Sequence, residues 1–232
     1  MTAAPAFELE EVRFGGVGNV LGPVTAHIPG RGITVLAGPS GAGKTSLLRT
    51  LNRLAEPIEG SIVHAGRELT EWEPTELRRR VGMVFQRPPL FEGTVGDNLR
   101  VARPGAGDAE LLAALDRVGL GADLLERDAT VLSGGEAQRM CFARAILTAP
   151  DVLLADEPTT SLDGAATRQV EELARALCAG DMPIVWVTHD VEQVRRLADH
   201  VIVLVAGRVR ATGSVDELDR STDPEIRAAV GR

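Results

Sequence analysis

The stretch Gly38-Pro39-Ser40-Gly41-Ala42-Gly43-Lys44-Thr45 constrains this chain more than any other, because it demands a strand-to-helix turn with an anion inside it. Gly38 and Gly43, separated by four residues and followed by Lys44 and Thr45, fit the phosphate-binding loop pattern. The flanks agree with it. Gly32–Ala37 reads as a buried strand, and Ser46–Leu51 opens a helix. Glycine tolerates positive φ, so successive backbone N–H groups can curl around a phosphate. The helix N-terminus adds partial positive charge at the same point. Lys44 is placed to reach the β- and γ-phosphates, and the Thr45 hydroxyl to ligate Mg²⁺. The expectation is a nucleoside-triphosphate site running from Gly38 through Ser46.

Downstream segments carry less information singly. In Leu132-Ser133-Gly134-Gly135-Glu136, Ser133 suits the N-cap of a helix over 136–147, and Ser-Gly-Gly alone is a flexible turn. Asp151–Ala155 is an apolar strand running into Asp156 and Glu157. Ligands bind beyond the carboxyl ends of buried parallel strands. Paired acids there are costly unless a cation or proton joins them, so Asp156 is expected on the Mg²⁺ side. The apolar strands 81–85 and 184–188 end at Gln86 and His189.

Taken in this order, the segments resemble the ATP-binding cassette (ABC) family over nearly the whole chain. The resemblance implies an α/β fold of the P-loop NTPase class, with a RecA-like parallel sheet core. It adds an antiparallel β-subdomain and a compact helical subdomain, the latter over about 87–149 between core segments 1–86 and 150–232. It further implies ATP and Mg²⁺, with Glu157 as the carboxylate that polarises the attacking water. Gln86 would contact Mg²⁺ or that water and sense a partner, and His189 would meet the γ-phosphate. Ser133, Gly134 and Gly135 would face the γ-phosphate held by a paired cassette, and Asp163, in Ser161-Leu162-Asp163, would lie on the loop crossing that interface. Phe14, in the strand 9–15, stands where the family usually carries the adenine-stacking Tyr, although it could equally be a core residue; the chain has no Tyr at all. Glu136 replaces a commoner Gln.

The implied partners are a second cassette, identical or related, and an integral membrane permease. Leu90 and Phe91 fall where the family's groove receives that permease, although they could equally close the helical subdomain. The resemblance is nearest to phosphate-importer cassettes and to small metal-export or stress-resistance cassettes. A soluble member serving iron–sulfur assembly is the competing expectation.

Composition narrows the classes further. A chain of 232 residues with 44% hydrophobic and 25% charged residues suits one soluble α/β domain. Runs such as 201–206 are far shorter than the roughly 18–20 apolar residues of a membrane span. The first six residues lack a targeting pattern, so a cytoplasmic location with membrane contact through the permease is expected. A net charge of −8 argues against nucleic acid as a partner. Cys141 and Cys178 read as small core residues, His27, His64 and His200 as surface or partly buried groups, and Arg78-Arg79-Arg80 as a solvated face.

Overall fold

Phe7, Leu9, Val12 and Phe14 all point inward from the first strand, although the step from Leu9 to Val12 breaks the period of two. An irregularity in the pairing lies between them, and Glu11 adopts φ 50° there, which restores the inward face after one extra residue. The computed structural model describes residues 4–15 and 18–231.

In chain order the elements begin with β1 (Phe7–Gly15), β2 (Val20–Ile28), β3 (Ile33–Ala37), α1 (Lys44–Thr50), β4 (Pro57–His64) and β5 (Arg67–Glu68). Then come α2 (Pro74–Arg80), β6 (Val81–Val84), α3 (Val95–Ala102), α4 (Asp108–Arg117) and α5 (Gly134–Ile146). The chain closes with β7 (Val152–Asp156), α6 (Gly164–Ala179), β8 (Ile184–Val187), α7 (Val191–Leu197), β9 (His200–Val205), β10 (Arg208–Gly213), α8 (Val215–Leu218) and α9 (Pro224–Val230). β1, β2, β4 and β5 form an antiparallel sheet in the order β2-β1-β4-β5. The other sheet runs β10-β9-β3-β8-β7-β6, parallel except for β10 at its edge.

Alternation along the parallel strands serves both faces of that sheet. Val35, Ala155 and Trp186 face the core shared with α3 to α7 and α9. Leu36, Leu154 and Val187 face the core shared with α1 and the antiparallel sheet. Apolar continuity in these strands follows from cover on both sides. Helices α3 to α5 lie between β6 and β7.

β3 and β7 flank β8, so the loops following all three emerge at the same carboxyl edge. Gly38 leaves β3 at φ 138°, and a Cβ there would lie 2.0 Å from the Leu204 carbonyl oxygen. Only glycine lets this turn pass so close to β9. His64 departs from its expected partial burial. It is almost wholly buried, with Nδ1 2.8 Å from the Ala6 carbonyl oxygen and Nε2 3.4 Å from Asp151. Joining β4 to the start of β7 puts it inside the contact between the sheets. The arginine triplet is exposed as expected; Arg80 pairs with Asp151 and lies over Trp72. Cys141 is buried and Cys178 half-buried, both as free thiols. Burial pushes the Cys178 thiol up to about 12.

Candidate functional site

Lys44 begins α1 and is almost fully buried, with Nζ donating to the carbonyls of Gly38 at 2.8 Å and Pro39 at 2.9 Å. Those bonds hold the ammonium over the loop. Burial lowers its pKa, while the nearby charges of Glu157 and Asp156 act in the opposite direction. Beside it the Thr45 hydroxyl donates to Asp156 Oδ1 at 2.7 Å, and Arg49 lies 3.7 Å from Asp156 Oδ2. Desolvation raises the pKa of Asp156 more than the Thr45 bond and the Arg49 charge lower it. Arg49 was not singled out by the sequence pattern. Its signal was the spacing of four residues from Thr45, which sets both on one face of α1.

A cleft of about 500 Å³ opens over this loop, lined by Ser40, Gly41, Gly43, Lys44, Thr45, Ser46, Arg49, Glu157, Asn19 and Leu21. Gly38 and Pro39 face a neighbouring cavity of about 500 Å³, which shares Ser40 with the cleft. Ala42 is buried beneath the loop. The chemistry of the donors fits Mg²⁺, a hard cation that prefers oxygen ligands and keeps several waters. Thr45 and Asp156 would hold it. No cluster of three or more His, Cys, Asp or Glu among the described residues could enclose a metal, so phosphate and water oxygens would complete the shell.

Glu157 follows β7 with φ 44°, a left-handed turn uncommon for a residue with a Cβ. Its N–H donates to the Val187 carbonyl at 3.1 Å, which ties the turn to β8. His189 Nδ1 lies 2.9 Å from Glu157 Oε2, and the Thr160 hydroxyl donates to the same oxygen at 2.9 Å. Glu157, 19% exposed, lines the phosphate-loop cleft, while His189, 53% exposed, lines the neighbouring cavity beside Gly38 and Pro39. Gln86 is exposed in an adjoining cleft of about 360 Å³ with Arg49 and Asp156. Phosphate loop, acids, glutamine and histidine are thus gathered at one edge of the sheet.

Ser133, Gly134 and Gly135 lie elsewhere. They line a cleft of about 200 Å³ with Asp163 and Ser161, and among the described residues none lines both it and the phosphate-loop cleft. Ser133 caps α5 reciprocally: its N–H donates to Glu136 Oε2 at 2.8 Å, and its Oγ accepts from the Glu136 N–H at 3.3 Å. Hydrogen bonding from the Ser133 hydroxyl, and then from its N–H, holds the Glu136 carboxyl below its usual pKa. Asp163 caps α6 through the N–H groups of Ala165 and Ala166.

Of the two readings of Phe14, the burial of its ring fits the core one. Its ring is fully buried, packed beneath the loop against the position where a Gly43 Cβ would stand. It offers no face to a base, and its role is in the core between β1 and α1. Leu90 packs against the helical core, the outcome left open for it. Phe91 is 46% exposed, and the Arg144 guanidinium sits 5.1 Å from the centre of its ring.

A parallel sheet whose central strand feeds a glycine-turned loop, with a threonine hydroxyl on a strand-end aspartate, defines a P-loop nucleoside-triphosphatase fold. Comparison with known proteins agrees. A family profile described as ABC transporter matches residues 21–160, and the chain belongs to that family as an ATPase domain. Protein STAR1 of Oryza sativa subsp. japonica is 41% identical over 215 residues, covering 90% of this chain; the chain spans 62% of the length of STAR1. Phosphate import ATP-binding protein PstB 2 of Natronomonas pharaonis is 40% identical over 227 residues, covering 89% of this chain and 78% of its own. A bacterial Atm1-family ABC exporter solved with ATP bound superposes with a TM-score of 0.86 at 29% identity, over 98% of this chain and 42% of the exporter. Family members of this kind hydrolyse ATP to power transport.

Proposed function

We propose that this chain hydrolyses Mg·ATP as one of a pair of cassettes on a membrane permease. The observation that carries this reading is the separation of the phosphate-loop cleft from the Ser133–Gly135 cleft. Each cleft presents part of a phosphate site. A two-fold pairing that sets one chain's loop against the other's signature completes both sites at once. Lys44, the loop N–H groups and the α1 N-terminus bind the phosphates. Thr45 and Asp156 would hold Mg²⁺, which when bound would neutralise charge on the phosphate oxygens. Glu157 orients water by accepting its proton in a hydrogen bond, with Gln86 beside it. His189 holds Glu157 through its Nδ1 contact and presents its exposed edge to the γ-phosphate. The transition state is loose, so positioning and charge complementarity supply most of the acceleration.

Among the described residues no helix is long and apolar enough to cross a membrane. Phe91, held out on the segment before α3, is part of the proposed contact with the permease on the inner face of the membrane. The name of the PstB 2 relative makes phosphate the first transported species to test, with metal ions second.

The decisive experiment uses Glu157→Gln. It keeps the side-chain shape and removes the charge that attracts the water proton. ATP binding should persist, turnover should fall by about 10²–10³, and an ATP-dependent dimer should appear in light scattering. Wild-type turnover would remove Glu157 from the mechanism. Extraction of the tagged variant with Mg·ATP from native membranes should bring a multi-spanning protein with it. Recovery with soluble scaffold proteins alone would overturn the transport reading.

A further inference from the structure

Gln193 lies on α7 one turn after His189 and is 1% exposed. All of its amide is engaged. Oε1 accepts from Trp186 Nε1 at 3.0 Å, while Nε2 donates to Glu171 Oε1 at 2.9 Å and to Thr159 Oγ1 at 3.0 Å. The orientation is fixed by chemistry. An indole nitrogen only donates and an ionised carboxylate only accepts, so turning the amide over would break both contacts. Glu171 is in turn held by Arg196, whose Nε and Nη2 donate to its two oxygens at 2.9 and 2.8 Å.

These partners come from separate elements on both sides of the acid–histidine pair. Trp186 is in β8, which leads to His189. Thr159 lies two residues after Glu157, and its carbonyl accepts from the Leu162 N–H at 3.1 Å, at the root of the Ser161–Asp163 loop. Glu171 is on α6, which that loop begins. Besides the backbone bond from Glu157 to Val187, the solvent-facing pair Glu157–His189 and the buried amide of Gln193 behind it join these segments through side chains.

We propose that Gln193 is a positioning residue for hydrolysis. It holds the loop that carries Glu157 and Asp163 at a fixed distance from α7, the helix that follows His189. Buried and fully partnered, such a group restricts the arrangement to one register, because any slip leaves polar atoms unpaired. Gln193 does not touch nucleotide; its effect passes through Thr159 and the acid–histidine pair. The proposal rests on the assignment of Glu157 and His189 as the hydrolytic pair.

The test is steady-state ATP hydrolysis of Gln193→Met, which keeps the length of the side chain and removes every hydrogen bond. A small displacement of reacting groups can cost up to 100-fold, so kcat should fall on the order of tenfold with KM for ATP unchanged. Nucleotide affinity by calorimetry should also be unchanged. Wild-type kcat in folded protein, or a loss matched by the loss of folded material, would overturn the proposal. Thr159→Val covers the case in which Gln193→Met fails to fold, because it keeps the shape of the side chain and removes only the hydroxyl that Gln193 holds. It should lower kcat with KM for ATP unchanged; wild-type kcat in this variant would also overturn the proposal. Glu157→Gln separates the two levels: wild-type turnover there removes the underlying pair whatever Gln193 shows.

Discussion

Lys44 and Asp156 show how much one buried charge can weigh. Charge-assisted hydrogen bonds contribute about 1.5–3 kcal/mol each, so Lys44→Ala should weaken ATP binding on the order of 10- to 100-fold by calorimetry. Unchanged affinity would remove Lys44 from the phosphate site. Asp156 makes a less intuitive case. Burial outweighs its contacts with Thr45, Arg49 and Lys44 and raises its pKa. A carboxyl whose pKa is higher folded than unfolded contributes stability at low pH, and that contribution is lost as pH rises through the raised value. At neutral pH its charge therefore weakens the fold until a cation joins it. Asp156→Asn, without nucleotide or Mg²⁺ at pH 7, should unfold at a higher temperature, by about 2–4 °C for each kcal/mol relieved. The same variant should lose Mg²⁺-dependent turnover. A lower unfolding temperature would show that the ion pairs, not the burial, decide the sign.

At the scale of elements, α5 joins a structural duty to the proposed chemical one at the same residue. Ser133 caps the helix, and loss of such a cap costs about 1 kcal/mol. Ser133→Ala should therefore unfold slightly earlier, by about 2–4 °C. Ser133→Asp retains an oxygen for the Glu136 N–H and should keep the wild-type unfolding temperature. It also sets a negative charge where the partner's γ-phosphate would approach, so ATP turnover should collapse; full activity would confine Ser133 to capping. The contrast with Phe14 shows what could be read from sequence. Local patterns placed β3, α1, β7 and β8, because buried parallel strands are continuously apolar and a phosphate loop has fixed spacing. The burial of Phe14 was not local. It depends on how β1 meets α1, where the lack of a Cβ at Gly43 leaves room for the ring. The Gln193 network was hidden for the same reason: its members lie 7, 22 and 34 residues away, on separate elements. Spacing within one helix cannot show such a meeting.

For the whole molecule, the parallel sheet delivers one set of groups to a single edge and α5 carries another set elsewhere. Under the proposed pairing, specific ATPase activity of the isolated chain should rise with protein concentration and then level off. Activity independent of concentration far below any dimer constant would mean that one chain suffices. The separation of the two clefts also has a consequence for mixtures. A chain damaged only at Lys44 and a chain damaged only at Ser133 should each be inert alone, since both sites of either pair carry a lesion. Combined in equal amounts, half of the pairs are mixed, and the twofold geometry gathers both lesions into one site of each mixed pair. The other site is whole, so two inactive preparations together should regain about a quarter of normal activity.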